Sequence, residues 1–380
     1  MIYKILSLIY IVAISTTVAN MNNNADYSNI NYTSNISYAI GGLNLVIVFF
    51  LLKNLSFFRK LVNDNKVLFL CIIVFFISCF WSENKYIAIK KLSQFVGSVF
   101  ALSCLMHNKK DLWKVLYVYT ILACLFSIFF IMMLPSGLML YNGGLVPKGV
   151  FGHKNLLGIF SGLGALICLR FYSKTHKKTD LIFFVVLSGL VIVSKSMTAV
   201  MAYFITIPVI LIISTIKKEF SFFLYFTGLL LVISLLVLFP INIFEYVLSL
   251  TGKDQTFTGR SLIWAELIRI GLKNPILGSG YGSFFRADET LWLSNIFGWT
   301  ASHAHNSLLQ IFLETGFLGL LSSSFFIFDF VKRIILKKDI FLFSFLPFLT
   351  IAGFFEPLLF NKNFASIFII ALYLSTSKQS

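Results

Sequence analysis

The strongest constraint on this chain of 380 residues is a succession of long apolar runs separated by short polar connections. Hydrophobic residues make up 58% of the chain and charged residues only 12%, which leaves too little polar surface for a water-soluble domain. Twelve apolar runs fall near residues 3–19, 38–53, 67–80, 88–106, 112–134, 155–173, 180–195, 197–215, 220–240, 305–331, 340–355 and 361–375. We therefore expect an all-α, polytopic membrane helix bundle with about twelve transmembrane helices.

The basic residues gather in alternate connections, and this pattern predicts the orientation of the bundle. One set of connections holds Lys53, Arg59, Lys60, Lys66, Lys109, Lys110, Lys174, Lys177, Lys178, Lys217, Lys218, Lys332, Arg333, Lys337 and Lys338. By the positive-inside rule this set is cytoplasmic, so both termini are cytoplasmic and the long loop 241–304 is periplasmic. The net charge of +16 is spread over these clusters, so no nucleic-acid partner is expected.

The chain is expected to form a single membrane domain over residues 1–380, with the long loop 241–304 between predicted spans 9 and 10. Ser261–Lys273 within this loop is predicted to be a helix on the membrane surface, because apolar residues recur there at helical spacing. The first apolar run loosely fits a signal peptide, but an uncleaved first helix is favoured. The five cysteines fall inside predicted spans, so no disulfide framework is expected.

The most informative polar segment is Ala-Ser-His-Ala-His-Asn at 301–306, where the long loop enters a helix. Ser302 could be the N-cap, which would place His305 in the first helical turn at the membrane interface. A neutral imidazole at this point could act as a general base. The alternative is that His303 and His305 are an interfacial pair satisfied by water and lipid headgroups.

Polar residues recur every four positions downstream, at Asn306, Gln310 and Glu314. The nine residues between His305 and Glu314 turn a helix by about 180°, so these two side chains are expected to point in opposite directions. Glu314 is therefore predicted to order neighbouring helices rather than to pair with the histidine.

A second group of candidates is cationic. Arg260 opens the predicted surface helix, and Lys154 and Lys195 stand at the outer ends of spans. Together they could bind a diphosphate, with bidentate contacts from arginine and a point charge from lysine. The alternative for the two lysines is that they extend to lipid headgroups. Because Asp-x-Asp, His-Glu-x-x-His, Walker and zinc-spacing motifs are absent, we expect no metal and no cofactor.

Three segments resemble the O-antigen ligase/Wzy polymerase superfamily of bacterial envelope polysaccharide assembly. The first is Gly-Val-Phe-Gly-His-Lys-Asn-Leu-Leu-Gly at 149–158. The second is Thr-Gly-Arg-Ser at 258–261 with Trp264, followed by Asn-Pro-Ile-Leu-Gly-Ser-Gly at 274–280. The third, and the most diagnostic, is His-Asn at 305–306 followed by Glu-Thr-Gly-Phe-Leu-Gly-Leu at 314–320. The N-terminal third of the chain resembles the superfamily only as hydrophobic spans.

The resemblance implies an inverting, metal-independent glycosyl transfer at the periplasmic face of the bacterial inner membrane. The donor would be an oligosaccharide on undecaprenyl diphosphate, and His305 would activate the acceptor. On this resemblance Arg260, and Lys195 at or near the place of a family cation, would contact the diphosphate. Lys154 joins them from the cationic group described above, and His303, Asn306 and Glu314 are candidates for a supporting role. Superfamily members often have an arginine where this chain has Lys195, so that assignment loses the guanidinium geometry. Membrane lipid, a flippase and a chain-length regulator are the expected partners.

Two functions within the superfamily and one outside it remain open. A polymerase of O-antigen, capsule or exopolysaccharide repeat units is favoured over a lipid A–core ligase, because the 149–158 segment and Lys195 look more polymerase-like. A transporter or flippase is the rival from another class. It would need ionisable residues near the bilayer midplane, whereas the polar groups here gather at outer helix ends.

Overall fold

The computed structural model of the protein describes residues 53–105, 109–141, 143–215, 256–285, 293, 303–337, 339–361 and 363–377. These ranges are mostly helical, as the apolar runs predict. The helices, numbered over the described ranges, are α1 Leu55–Asp64, α2 Lys66–Ser78, α3 Lys85–Leu105, α4 Lys109–Met133, α5 Lys154–Thr175, α6 Lys178–Val193, α7 Met197–Thr215, α8 Thr256–Gly271, α9 Ser307–Lys337, α10 Ile340–Phe355 and α11 Phe364–Ser375. Helix α1 was not predicted, because it lies in the basic connection between the runs 38–53 and 67–80. Nor was an antiparallel hairpin of β1 Leu138–Tyr141 and β2 Gly144–Pro147.

The described helices include spans of membrane-crossing length. Four are long and apolar enough to cross a bilayer, namely Lys85–Leu105, Leu112–Met133, Lys154–Thr175 and Ser307–Lys337. The number rises to five if α1 and α2, which meet at a 96° bend, form one broken span. The total of twelve stays a prediction because the runs near 3–19 and 220–240 lie outside the described residues. The same holds for most of the loop 241–304.

Helix α5 is buried along most of its length and packs against α4, α6, α7, α10 and α11. Its approach to α7 depends on Gly158, where an added Cβ would lie 2.7 Å from the Ala199 Cβ and 2.7 Å from the Ser194 Oγ. Small residues such as glycine allow membrane helices to pack closely, because no side chain separates them. The packing places the first turn of α5, with Lys154 and Asn155, beside the turn between α6 and α7.

Helix α9 is broken at Gly316, whose backbone has φ 62° and ψ −159°. The segment that follows α8 uses the backbone groups released by this break. The Phe317 N–H donates to the Pro275 carbonyl at 2.8 Å, and the Gly280 N–H donates to the Glu314 carbonyl at 2.7 Å. A Cβ at Gly316 would lie 2.2 Å from the Ile276 carbonyl oxygen. The glycine-rich parts of two sequence motifs are thus one packing unit.

Helix α8 begins five residues before the start of the predicted range Ser261–Lys273 and ends two residues before the end of that range. The apolar residues of α8 form a stripe that packs against protein, and this packing accounts for their helical spacing without a lipid surface. Ile263 and Leu267 are buried in a small cluster that includes Leu313 of α9. The stripe therefore covers another helix, and this packing connects the long loop to the start of α9.

Candidate active site

His305 lies immediately before α9 and not in its first turn. The helix begins at Ser307, and His305 has a left-handed backbone with φ 49°, which cannot continue a right-handed helix. The expected cap at Ser302 is therefore wrong. Asn306 has that role, because its side-chain Oδ1 accepts the Leu309 N–H at 2.9 Å. The left-handed residue turns the imidazole out of the helical path, towards the end of α10.

The partner of His305 there is Glu356, the residue that ends α10. The His305 Nδ1 lies 3.2 Å from the Glu356 Oε1. Only 4% of the Glu356 side chain is exposed, compared with 15% of the His305 side chain. A buried carboxylate needs hydrogen-bond donors, and the imidazole supplies one of them.

Glu356 is held in place by two further residues. The Asn155 Nδ2 donates to the Glu356 Oε1 at 2.7 Å. The Ser307 Oγ donates to the Glu356 carbonyl at 2.8 Å and accepts the Leu358 N–H at 2.8 Å. The starts of α5 and α9 therefore meet at the end of α10. Three helices fix one carboxylate and, through it, one imidazole.

His303 lies beside this pair. Its ring centroid is 4.0 Å from that of His305, and its Nε2 is 4.0 Å from the Glu356 Oε2. The residue between the two histidines is clamped on both sides. The Ala304 N–H donates to the Gln310 Oε1 at 2.8 Å, and the Trp264 Nε1 donates to the Ala304 carbonyl at 2.8 Å. The geometry of the His-x-His segment is thus set by α8 and α9 together.

Lys154 and Lys195 come together next to the Asn155–Glu356 contact. The Lys154 Nζ lies 3.5 Å from the Lys195 carbonyl and 3.4 Å from the centroid of the Tyr141 ring in β1. Lys154 is buried, which argues against simple extension to lipid headgroups, whereas Lys195 is exposed in a left-handed turn. The turn therefore presents a cation beside a buried one.

The other predicted site residues have different positions. Glu314 is buried in α9, where its Oε1 accepts the Gln310 Nε2 at 2.6 Å. Glu314 thus positions Gln310, which in turn accepts the Ala304 N–H. It does not contact His305 directly, as the helical geometry predicts. The backbone of Arg260 belongs to α8, but its side chain is outside the part of the chain that the structure describes. Its position relative to the lysines stays a prediction.

The His305–Glu356 arrangement has the geometry of an oriented base. An ionised carboxylate only accepts hydrogen bonds, so a neutral His305 bonded to it carries its proton on Nδ1. The lone pair is then on Nε2, where it can accept a proton from a hydroxyl group. The neighbouring lysines would favour a negatively charged group close by.

Sequence reasoning missed Glu356, which is 51 residues from His305. The available signal was weak: a single acid directly before Pro357, in a short connection between two apolar runs. Asn155 belongs to the 149–158 segment, but sequence reasoning assigned no role to this residue. Only the packing of α5, α9 and α10 brings Asn155 and His305 to the same carboxylate oxygen of Glu356.

Two comparisons with known proteins match parts of this chain. Residues 182–323, which include Lys195, Arg260, His303 and His305, match a family model described as O-antigen ligase. A segment of 82 residues is 34% identical to the exopolysaccharide production protein ExoQ of Rhizobium meliloti (strain 1021). That segment is 20% of this chain and 19% of the relative, so the likeness spans about a fifth of each protein.

These two findings confirm the predicted resemblance to the O-antigen ligase/Wzy polymerase superfamily. The likeness is limited to the matched segments, of which residues 182–323 are the longer. The apolar helices of membrane-crossing length indicate a membrane protein.

Proposed function

We propose that this protein is a polysaccharide polymerase that transfers a glycan from undecaprenyl diphosphate to a lipid-linked repeat-unit acceptor. The observation that carries the proposal is the contact of the His305 imidazole with the buried Glu356 carboxylate, which Asn155, the residue after Lys154, also holds. The description of the relative as an exopolysaccharide production protein supports a polymer of repeat units.

The proposed reaction is an inverting, metal-independent transfer in one displacement. His305 Nε2 takes the proton of the acceptor hydroxyl while the oxygen attacks the anomeric carbon. The bond between that carbon and the diphosphate oxygen breaks, and undecaprenyl diphosphate leaves with the bonding electrons. Lys154, Lys195 and Arg260 stabilise the negative charge of the leaving group. Glu356 keeps His305 in the tautomer that has Nε2 unprotonated.

The direct test is His305→Ala in a strain that depends on this chain for its polymer. We expect polymer to be lost, because no other group is proposed to activate the acceptor. The control is His176→Asn, which removes an exposed imidazole at the far end of α5 and suits its left-handed backbone. Polymer of normal length and amount in His305→Ala would overturn the proposal.

Arg260 has its own test because its side-chain position is a prediction. Arg260→Ala should reduce polymer severely, and Arg260→Lys should restore only part of it, since lysine cannot make a bidentate contact with a phosphate. Equal activity of the lysine variant and the unmodified protein would remove the bidentate role.

A deletion strain distinguishes the polymerase from a ligase. Loss of long chains, with a single repeat unit still attached to the lipid A–core, indicates a polymerase. Long lipid-linked polymer that never reaches the core indicates a ligase. Accumulation of repeat units on the cytoplasmic side would instead favour the transporter.

The proposed reaction requires the His305 end of the bundle to face the periplasm of a bacterial inner membrane. We propose that residues 1–380 are one membrane domain with cytoplasmic termini and a periplasmic 241–304 loop, as the basic connections predict. Alkaline phosphatase fused after residue 289 should be active, whereas a fusion after residue 178 should be inactive. The reverse pattern would contradict the orientation.

A further inference from the structure

Three potential metal ligands converge at the end of α10, where His303 lies beside the two residues that the proposed transfer uses, His305 and Glu356. His303, His305 and Glu356 each offer one ligand atom, and these atoms lie within 4.8 Å of one another. The His305 Nδ1 lies 3.2 Å from the Glu356 Oε1, and the His303 Nε2 lies 4.0 Å from the Glu356 Oε2. Tetrahedral zinc, with bonds of about 2.0–2.2 Å, needs ligand atoms about 3.3 Å apart. A small rotation of the His303 side chain, which is 31% exposed, would shorten its 4.0 Å distance to Glu356 to the spacing that zinc needs.

The surroundings of the three ligands are those of a supported site. Metal ligands are usually oriented by hydrogen bonds from neighbouring residues. Here the Asn155 Nδ2 donates to Glu356 at 2.7 Å, and the Ser307 Oγ fixes the Glu356 backbone. The backbone between the two histidines is held by the Ala304 contacts to Trp264 and Gln310.

We propose that His303, His305 and Glu356 bind a divalent transition-metal ion such as Zn²⁺, and that binding inhibits the enzyme. Two imidazoles and one carboxylate suit zinc, whereas Mg²⁺ and Ca²⁺ prefer sets of oxygen ligands. The partly exposed histidines leave a fourth position for water. Inhibition, but not binding, rests on the function proposed for His305.

The reason for inhibition is a change of tautomer. Without metal, His305 carries its proton on Nδ1 and has a lone pair on Nε2. A metal ion bound at Nδ1 needs a lone pair on Nδ1, so the proton of the neutral ring must move from Nδ1 to Nε2. That nitrogen can then no longer accept the hydroxyl proton. His303 also changes tautomer. Without metal its Nδ1 accepts the His305 N–H at 3.3 Å, so its proton is on Nε2. A metal ion at Nε2 moves that proton to Nδ1, and this hydrogen bond is lost. Neither neutral ring releases a proton overall.

Zinc binding is tested first, by titrating ZnCl₂ into the purified full chain in detergent by calorimetry. We expect one zinc per chain, and His303→Ala should weaken the affinity at least about ten-fold, because one of three ligands is lost. His176→Asn should bind zinc like the unmodified protein. Co²⁺ at the same site should give the intense visible absorption of tetrahedral coordination. Absence of zinc binding, or equal affinity in His303→Ala, would overturn the site.

Inhibition is tested in a polymerisation assay in which each variant is compared with its own rate in the presence of a chelator. Zinc should abolish the activity of the unmodified protein at concentrations near its dissociation constant, and Mg²⁺ should not. His303→Ala should need at least about ten-fold more zinc for the same fractional loss. Full activity at saturating zinc would overturn the inhibitory role. Calorimetry needs no catalysis, so normal polymer from His305→Ala would sink the proposed function while leaving zinc binding to be judged separately.

Discussion

Helix α10 has an acid at each end, and the two acids have different kinds of partner. Asp339 precedes its first turn and Glu356 follows its last. The partner of Asp339 is a permanently charged guanidinium, and the partners of Glu356 are an amide and an imidazole. The two ends are about 24 Å apart along the helix, so each acid belongs to its own cluster.

The Asp339 end is built for stability. The Arg170 Nη1 and Nη2 donate to the two Asp339 oxygens at 3.0 and 2.9 Å, and the guanidinium stacks over Trp113 at 4.3 Å. Asp339 also caps α10 by accepting the Phe341 N–H at 2.9 Å. Burial opposes ionisation of Asp339, but the hydrogen bonds and charge of Arg170 outweigh it, so the pKa of this carboxyl is below its ordinary value. Arginine does not change protonation, so this contact is fixed.

The Glu356 end is built from groups that can change. Histidine exchanges protons near neutral pH, and its two nitrogens can swap the proton between them. The carboxylate therefore selects a tautomer and does not merely balance a charge. The comparison teaches that an acid with a permanent cation marks structure, whereas an acid with an imidazole marks a possible site of chemistry.

The largest expected effect is that of Glu356→Gln on the rate. Glutamine can place its NH₂ group against His305 and favour the wrong tautomer, so we expect the polymerisation rate to fall by about 10³-fold. The measurement is the rate per folded molecule, with folding checked by thermal unfolding in detergent. A rate within a factor of three of normal would break the distinction between the two acids.

Asp339→Asn should act on stability and leave the rate unchanged. Asparagine keeps an N-cap oxygen but leaves the Arg170 charge without its counter-ion, so the free energy of unfolding should fall by about 2–3 kcal/mol. This is smaller than for a fully buried pair, because 31% of the Asp339 side chain is exposed. Denaturant unfolding in detergent measures the change. A loss of rate per folded molecule would show that this end also serves the reaction.

Asn155→Ala should have an intermediate effect on catalysis. Loss of its hydrogen bond to Glu356 should lower kcat by about ten-fold, or about 1.4 kcal/mol, with little change in KM. The matched control is the same substitution in a Glu356→Gln background, where the remaining rate should not fall further. A further ten-fold loss in that background would mean that Asn155 acts independently of Glu356.

The smallest expected effect is a pH dependence of stability at the Asp339 end. Because the pKa of Asp339 is below its ordinary 3.8, the stabilisation is fully present above pH 3.8. It is lost as the pH falls below that value through the lowered pKa. Unfolding midpoints between pH 5 and pH 3 should therefore fall more steeply in the unmodified protein than in an Arg170→Met/Asp339→Asn double variant. Parallel curves would contradict the ion pair's contribution.

Several helices could be predicted closely from sequence because their apolar runs are long. The run 88–106 corresponds to α3 Lys85–Leu105, and the run 155–173 to α5 Lys154–Thr175. The β1–β2 hairpin was missed because strands of four residues have too short a pattern to stand out. The cap of α9 was misplaced because Ser302 and Asn306 are both good N-cap residues, and only the left-handed His305 decides between them.

The sequence by itself determined that this chain needs a membrane as solvent, and its motifs predicted which superfamily it resembles. Both conclusions rest on local information: continuous apolar runs, the placement of basic residues and short motifs such as His305-Asn306. Only the tertiary structure decided which acid orients His305. Helical geometry could exclude Glu314 but could not choose Glu356, since that choice depends on how α5, α9 and α10 pack at one end. Long-range packing is a property of whole helices, so no local pattern could have revealed it.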